Sequence, residues 1–278
     1  MMAVQISTLS NTLGAEARGI DLTDSTSSED HDILRQAISD HLVLIIRDQK
    51  LTPSQYLSAV QIFGETMEQH LSTFLMKDHP EIAVLDSLNS EVDEAGNPFP
   101  VGSRAWHTDH TNHAEPPKMT ALHAIQLPKS GGGDTGFANM QKAYDALQKS
   151  RRDELDSLQT VNKIEDKAYV SDEARKKFGA LQSHPLIRTH PESGRRSIYI
   201  HPGKVAHIEN MTPQDSKEFV NELMAEIIQP EVVYRHKWEP NDLLLWDNRA
   251  VLHIAHRNYD HTEQRIMHRV LLKGDRPC

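Results

Sequence analysis

One cysteine, Cys278, is all the thiol chemistry this 278-residue chain carries. It cannot build an intrachain disulfide, a thiolate zinc cluster or an iron–sulfur site, and nothing in the cysteine usage signals an oxidising compartment. Long apolar runs are missing too: the longest aliphatic stretch is LVLII at 42–46, far below the roughly 20 residues of a membrane span. The opening MMAVQISTL has neither a basic start nor an extended apolar core. Positive charge is in deficit, with 30 Lys and Arg against 40 Asp and Glu and a net charge of -10, which disfavours nucleic acid and anionic membranes as partners. These absences point to a soluble cytoplasmic protein with no nucleic-acid or membrane partner. A small anionic molecule stays compatible, because a few arginines in a low-dielectric cleft focus a local positive potential that remote surface charge does not cancel.

What is present fits one globular domain spanning 1–278. The hydrophobic fraction of 37% is enough for a sizeable core, and no repeat, low-complexity tract or long linker divides the chain. HDILRQAISDH reads as a helix leading into the buried strand LVLIIRD. LTPSQYLSAVQIFG carries Thr52 as N-cap, Pro53 at the first helical position and Gln55 completing a capping box. EIAVLD and MTALHAIQL have strand character, and FANMQKAYDALQK places Phe137, Met140, Tyr144 and Leu147 on one helical stripe. HPLIRTHPESGRRSIYIHP reads as two strands around a turn, TPQDSKEFVNELMAEIIQP as a capped helix, and the final third as mostly strand and turn. The expected fold is mainly β with outer helices (α+β), built on a sandwich or jelly-roll core. The monomer or homo-oligomer question stays open.

WHTDHTNH, at 106–113, raises the question of a metal. On a strand, a His-x-acid pair puts both side chains on one face. The pattern recurs at His79, His107, His113, His190, His207 and His261, where composition alone gives it two or three times, and by itself it proves nothing. His107 is distinct in pairing with an aspartate, Asp109. WDNRAVLHIAHRNYDHTEQRIMHR then adds His253, Arg265 and Arg269. Two imidazoles and one carboxylate can occupy one face of an octahedral iron and leave three positions for other ligands, although histidines alone more often hold zinc. Arg265, Met267 and Arg269 share a strand face, and two guanidinium groups on one face suit two anions. His110 borders the pair either as pocket lining or as a polar loop residue; His113 reads as the latter. His123 and His268 read as satisfied core histidines, and Trp246, Asp247, Asn248 and Arg249 as the turn that aims His253.

These residues bring the chain close to a known family. Through WHTDHTN at 106–112, LPKSGGGDT at 127–135, IRTHPESGRR at 187–196, YRHKW at 234–238, WDNRAVLH at 246–253 and RIMHR at 265–269, it resembles the taurine dioxygenase (TauD/TfdA-like) iron(II)/2-oxoglutarate-dependent dioxygenases over nearly its whole length. The resemblance implies a double-stranded β-helix with outer helices. It implies His107, Asp109 and His253 as ligands of Fe(2+), and Arg265 with Thr135 on the distal carboxylate of 2-oxoglutarate. Arg269 takes the position that holds the anionic group of the substrate, and His70 that of a substrate-contacting histidine, displaced here by one extra residue. Three glycines stand before Asp134 where the family pattern has two. The implied reaction consumes 2-oxoglutarate and O2, forms succinate and CO2, and hydroxylates a C–H of a small organic anion. Taurine or another alkylsulfonate is the first candidate, and an aryloxyalkanoate or other carboxylate the alternative. Two readings of a different class remain: a zinc-dependent hydrolase, which leaves Arg265 unexplained, and a non-catalytic jelly-roll binding protein.

Overall fold

Apolar runs that are buried on both sides decide where the central strands lie. In the computed structural model, which describes residues 4–24, 26–69, 74–88, 102–165 and 170–278, the first half runs β1 (Gln5–Thr8), β2 (Ala15–Arg18), α1 (Ser28–His41), β3 (Val43–Ile46), α2 (Pro53–Gln61), β4 (Leu75–Met76), β5 (His79–Asp86), β6 (Met119–Gln126), β7 (Thr135–Asn139) and α3 (Met140–Ala146). There follow α4 (Lys149–Asp156), β8 (Gln159–Asn162), α5 (Asp172–Phe178), β9 (Gln182–Pro185), β10 (Ile187–Thr189), β11 (Arg196–Ile198), β12 (Val205–Ile208) and α6 (Pro213–Ile227). The chain closes with β13 (Val233–His236), β14 (Leu243–Asp247), β15 (Val251–Ala255) and β16 (Ile266–Leu272).

An eight-stranded sheet in the order β1-β2-β3-β14-β6-β16-β5-β4 forms the main wall, and the three-stranded sheet β13-β7-β15 stands against it. Alternation along β3 and β14 shows how the layers are bonded. Leu44, Ile46, Leu243 and Leu245 point to one side and pack with Leu34, Ile38, Tyr56 and Val60 of α1 and α2. Their neighbours Val43, Ile45, Leu244 and Trp246 point to the other side and meet Phe137 and Val251 of the small sheet. A strand buried on both faces must be apolar at every position, which LVLII and LLLW satisfy. On the far side of the small sheet, Ala138 and Leu252 pack with Met140, Tyr144, Val220 and Leu223 of α3 and α6.

The helix starts follow the sequence. Ser27 and Asp30 form a capping box on α1, Thr52 and Gln55 another on α2, and Thr212 caps α6. One segment differs from its pattern. Phe137 was expected on a helix, but 135–139 is the middle strand of the small sheet, paired with β13 and β15, and the helix begins only after Asn139 caps it. The spacing of Phe137, Met140 and Tyr144 fits a helical stripe, but the two flanking strands supply backbone partners that a helix would forgo. Among the described residues no helix is long and apolar enough to cross a membrane.

Candidate metal centre

The site starts from one pair of main-chain bonds. His107 N–H donates to His253 O at 3.1 Å and His253 N–H to His107 O at 2.8 Å, an isolated antiparallel bridge that sets the two residues opposite each other. WHTDHTNH is not a strand, so the shared face of a His-x-acid pair on a strand does not apply to it: the pairing ends after this bridge. The chain then turns, with His110 in the left-handed region at φ 50° and His113 N–H closing on His110 O at 2.9 Å. Asp109 still reaches the histidines, because the turn swings the carboxylate back toward them.

Ligand atoms of His107, Asp109 and His253 all lie within 4.8 Å of one another, and all three residues are buried. Asp109 Oδ1 sits 3.8 Å from Nε2 of each imidazole. His107 donates its Nδ1 proton to Ala105 O at 2.9 Å, which leaves Nε2 with a free lone pair. Burial keeps both rings neutral: it lowers the basicity of His107 and, with help from His107, takes His253 down to about 3. Burial works the other way on Asp109, but attraction to His253 and His107 in the acid range where they gain a proton, to Arg269, and the Thr120 hydroxyl outweigh it and hold the carboxyl at about 2. Two neutral imidazoles and a carboxylate are the protonation states that a metal needs.

Asp109 feels the positive charge of Arg269, and a second arginine with a buried Nε, Arg265, lies four residues earlier in the chain. Arg265 lies just before β16, with its guanidinium 5.9 Å from the Trp238 ring; the Trp238 indole N–H donates to Thr135 Oγ1 at 3.1 Å. Among the described residues the Arg265 guanidinium makes a single hydrogen bond, from Nη2 to Gly133 O at 3.2 Å, and its Nε is buried with no hydrogen-bond partner. Burial brings the group down to about 10. Gly133 has φ +70°, and a Cβ there would stand 2.8 Å from Arg265 Nε, so the loop leaves the guanidinium its space. On β16 itself, Met267 and Arg269 alternate inward as expected. Arg269 donates to Gln69 Oε1 from Nη2 at 2.9 Å and from Nε at 3.2 Å, and burial lowers its basicity while Asp109 opposes the change.

Two further buried bases sit near the cluster and escaped the sequence reading. The His201 ring is 5.0 Å from that of His107, and Lys204 donates to Asn112 Oδ1 at 2.7 Å while it is only 4% exposed. Burial lowers both. Trp238 and Gln69 were likewise unforeseen. His110 is buried beside Asp109, with its ring 5.3 Å from that of His113, which stacks on Phe178 at 4.4 Å. His70 lies outside the described residues. His123 and His268 face the opposite side of the large sheet, near Tyr56, and His123 Nε2 meets Gln49 O at 2.7 Å. The 246–249 turn is a network in its own right, closed by Arg249 on Asp247 at 2.6 Å.

Residues 5–271 match the family described as taurine catabolism dioxygenase TauD, TfdA family. The chain is 30% identical to a pentalenolactone F synthase of Streptomyces avermitilis, covering 96% of this chain and 92% of that protein. It is also 30% identical to an alpha-ketoglutarate-dependent 2,4-dichlorophenoxyacetate dioxygenase of Cupriavidus pinatubonensis, over 99% of both. The crystal structure of a taurine dioxygenase from Burkholderia xenovorans superposes with a TM-score of 0.83 at 30% identity, covering 99% of this chain and 90% of that one.

Proposed function

This chain belongs to the taurine catabolism dioxygenase TauD, TfdA family, and from that membership we propose that His107, Asp109 and His253 ligate its ferrous ion while Arg265 and Thr135 hold the distal carboxylate of 2-oxoglutarate. The enzyme is an iron(II)- and 2-oxoglutarate-dependent dioxygenase, with O2 as the other cosubstrate. One observation carries the assignment: two neutral imidazoles and a carboxylate converge within 4.8 Å, and the buried Nε of Arg265 has no hydrogen-bond partner among the described residues. The donor set suits a non-haem ferrous ion with positions left for cosubstrates. Bound there, iron supplies the oxidative decarboxylation of 2-oxoglutarate to succinate and CO2 that is coupled to hydroxylation of a substrate C–H.

The chain's own residues place and isolate the reactants. A carboxylate at Arg265 would supply the charge and acceptors that this buried cation lacks, through the paired geometry that lysine cannot offer. Thr135, held by the Trp238 indole, offers its hydroxyl beside it. The substrate we assign is a small organic anion, taurine or another alkylsulfonate first, an aryloxyalkanoate or other carboxylate second. Support comes from Arg269 and Lys204, two buried cations that both feel the charge of Asp109. Arg269 anchors the substrate's anionic group, and His110 is assigned to the pocket wall for its burial beside Asp109. We further assign the fold as a double-stranded β-helix within one domain over 1–278; the apolar layer shared by the large sheet and β13-β7-β15 supports this.

The test is to load the protein with iron anaerobically, add 2-oxoglutarate and air with a panel of alkylsulfonates, aryloxyacids, other carboxylates and phosphonates, and read succinate by mass spectrometry. Stimulation by sulfonates with sulfite release supports the first substrate class, and stimulation by aryloxyacids with phenol release selects the second. No succinate with any compound, or without one, overturns the site assignment. Arg269→Ala is expected to lose substrate stimulation far more than uncoupled 2-oxoglutarate decay; equal losses remove Arg269 from the anchoring role.

A further inference from the structure

Asp109 has two oxygens, and they are treated differently. Oδ1 faces the two imidazoles, whereas Oδ2 accepts a 2.6 Å hydrogen bond from the Thr120 hydroxyl. Thr120 lies on β6 and is fully buried. It shares the inward face of that strand with Leu122 and Ala124, which belong to the layer between the two sheets.

What the hydroxyl does is fixed by its own donor. Asn248 Nδ2 donates to Thr120 Oγ1 at 2.8 Å, and the Trp246 indole N–H donates to Asn248 Oδ1 at 2.9 Å. An indole is a donor only, so it identifies the amide oxygen of Asn248 and thereby its nitrogen. With that nitrogen filling one acceptor position on Thr120, the hydroxyl proton is free to go to Asp109. The chain thus runs one way, from indole through amide and hydroxyl to carboxylate. The backbone reinforces it: Thr108 Oγ1 donates to Asn248 O at 2.6 Å and ties the ligand loop to the 246–249 turn. All of these groups are buried, where a hydrogen bond to a charged oxygen is strong and its loss expensive.

We propose that Thr120 is a positioning residue for the metal centre: by occupying Oδ2 through the Trp246–Asn248–Thr120 chain, it makes Asp109 a one-oxygen ligand and keeps a coordination position open for cosubstrate. The inference rests on the assignment of His107, Asp109 and His253 as the ligands. Without the hydroxyl, Oδ2 is a buried, unpartnered acceptor whose available partner is the ion itself. A carboxylate that swings to bind through both oxygens consumes a position that 2-oxoglutarate or O2 requires.

The experiment compares wild type with Thr120→Val, which keeps the shape and removes the hydroxyl, and Thr120→Ser, which restores it. Three quantities are measured anaerobically: Fe(II) affinity by titration, the absorption spectrum of the Co(II)-substituted protein, and the visible charge-transfer band that forms when 2-oxoglutarate chelates the iron. Thr120→Val is expected to change Fe(II) affinity by about 10–100-fold, the usual cost of losing a partner of a metal ligand, to alter the Co(II) spectrum and to weaken the chelate band. Thr120→Ser is expected to return all three to near the wild-type values. A Thr120→Val protein that matches wild type in Co(II) spectrum and chelate band overturns the inference, as does a change that Thr120→Ser fails to reverse. A wild-type protein that binds neither Fe(II) nor Co(II) removes the ligand assignment and this inference with it; wild-type binding with an indifferent valine removes this inference alone.

Discussion

Asp109 and Asp247 are both buried aspartates within a short reach of a tryptophan in sequence, yet they live differently. Asp247 is saturated. Its Oδ1 accepts from the backbone N–H and Nε of Arg249, and its Oδ2 accepts from Arg249 Nη2 and His190 Nε2, all within 3.0 Å. Arg249 is in turn held by Glu192. Asp109 has one oxygen satisfied by Thr120, while the other accepts no hydrogen bond among the described residues and looks at two imidazoles 3.8 Å away. A closed carboxylate maintains a turn; an open one, facing two buried neutral imidazoles, keeps an acceptor oxygen in hand. Burial and charge are alike in the two, and only the valence left over separates structure from chemistry.

The largest effect expected from breaking this contrast is on turnover. His107→Ala, Asp109→Ala or His253→Ala is expected to reduce 2-oxoglutarate-dependent succinate formation to background, because loss of one donor in three removes both charge and geometry. Substantial residual activity would reject the triad. Next comes stability, where the order of the two acids reverses. Asp247→Asn leaves Arg249 short of a counter-charge in the interior and is expected to cost about 3–5 kcal/mol in denaturant unfolding of the metal-free protein, against a much smaller change for Asp109→Asn. Equal losses would erase the distinction. The sign with pH follows from the lowered Asp247 carboxyl: burial raises it, but Arg249 and His190 more than reverse this. Its stabilisation is complete above the ordinary carboxylate value of about 3.9 and fades as the pH falls toward the lowered folded value. The smallest of the three sharpens the comparison from the cationic side. Arg265→Ala is expected to weaken 2-oxoglutarate binding by roughly 2–5 kcal/mol, read by titration of the iron-loaded protein; unchanged affinity would reassign that arginine.

Much of this arrangement was legible in the sequence because it is local. The capping box at Thr52, the doubly buried LVLII and LLLW strands, and the inward alternation of Met267 and Arg269 depend on neighbours within a few residues. Phe137 was misread because the spacing of its apolar partners serves a strand followed by a helix as well as it serves one helix. Thr120, Trp238 and Gln69 were invisible for a different reason. Their partners lie far along the chain, as with Asn248 for Thr120 and Thr135 for Trp238, and only the sheet registers bring them together. Asn248 was read as part of a turn, which it is; that its amide also points at Thr120 follows from β6 lying beside β14. The His-Asp-His set was read from motif and not from periodicity, since His107 sits on an isolated bridge and Asp109 on the turn that follows it.

The paired main-chain bonds between His107 and His253 also carry a message about timing. His107 and Asp109 cannot meet His253 until the polypeptide around residue 253 has been synthesised and has paired with residue 107, so the three-residue cluster is completed only at the closing stage of folding. A nascent chain that ends short of residue 253 holds only two of these three side chains, and the small sheet β13-β7-β15 that carries the third is not yet formed.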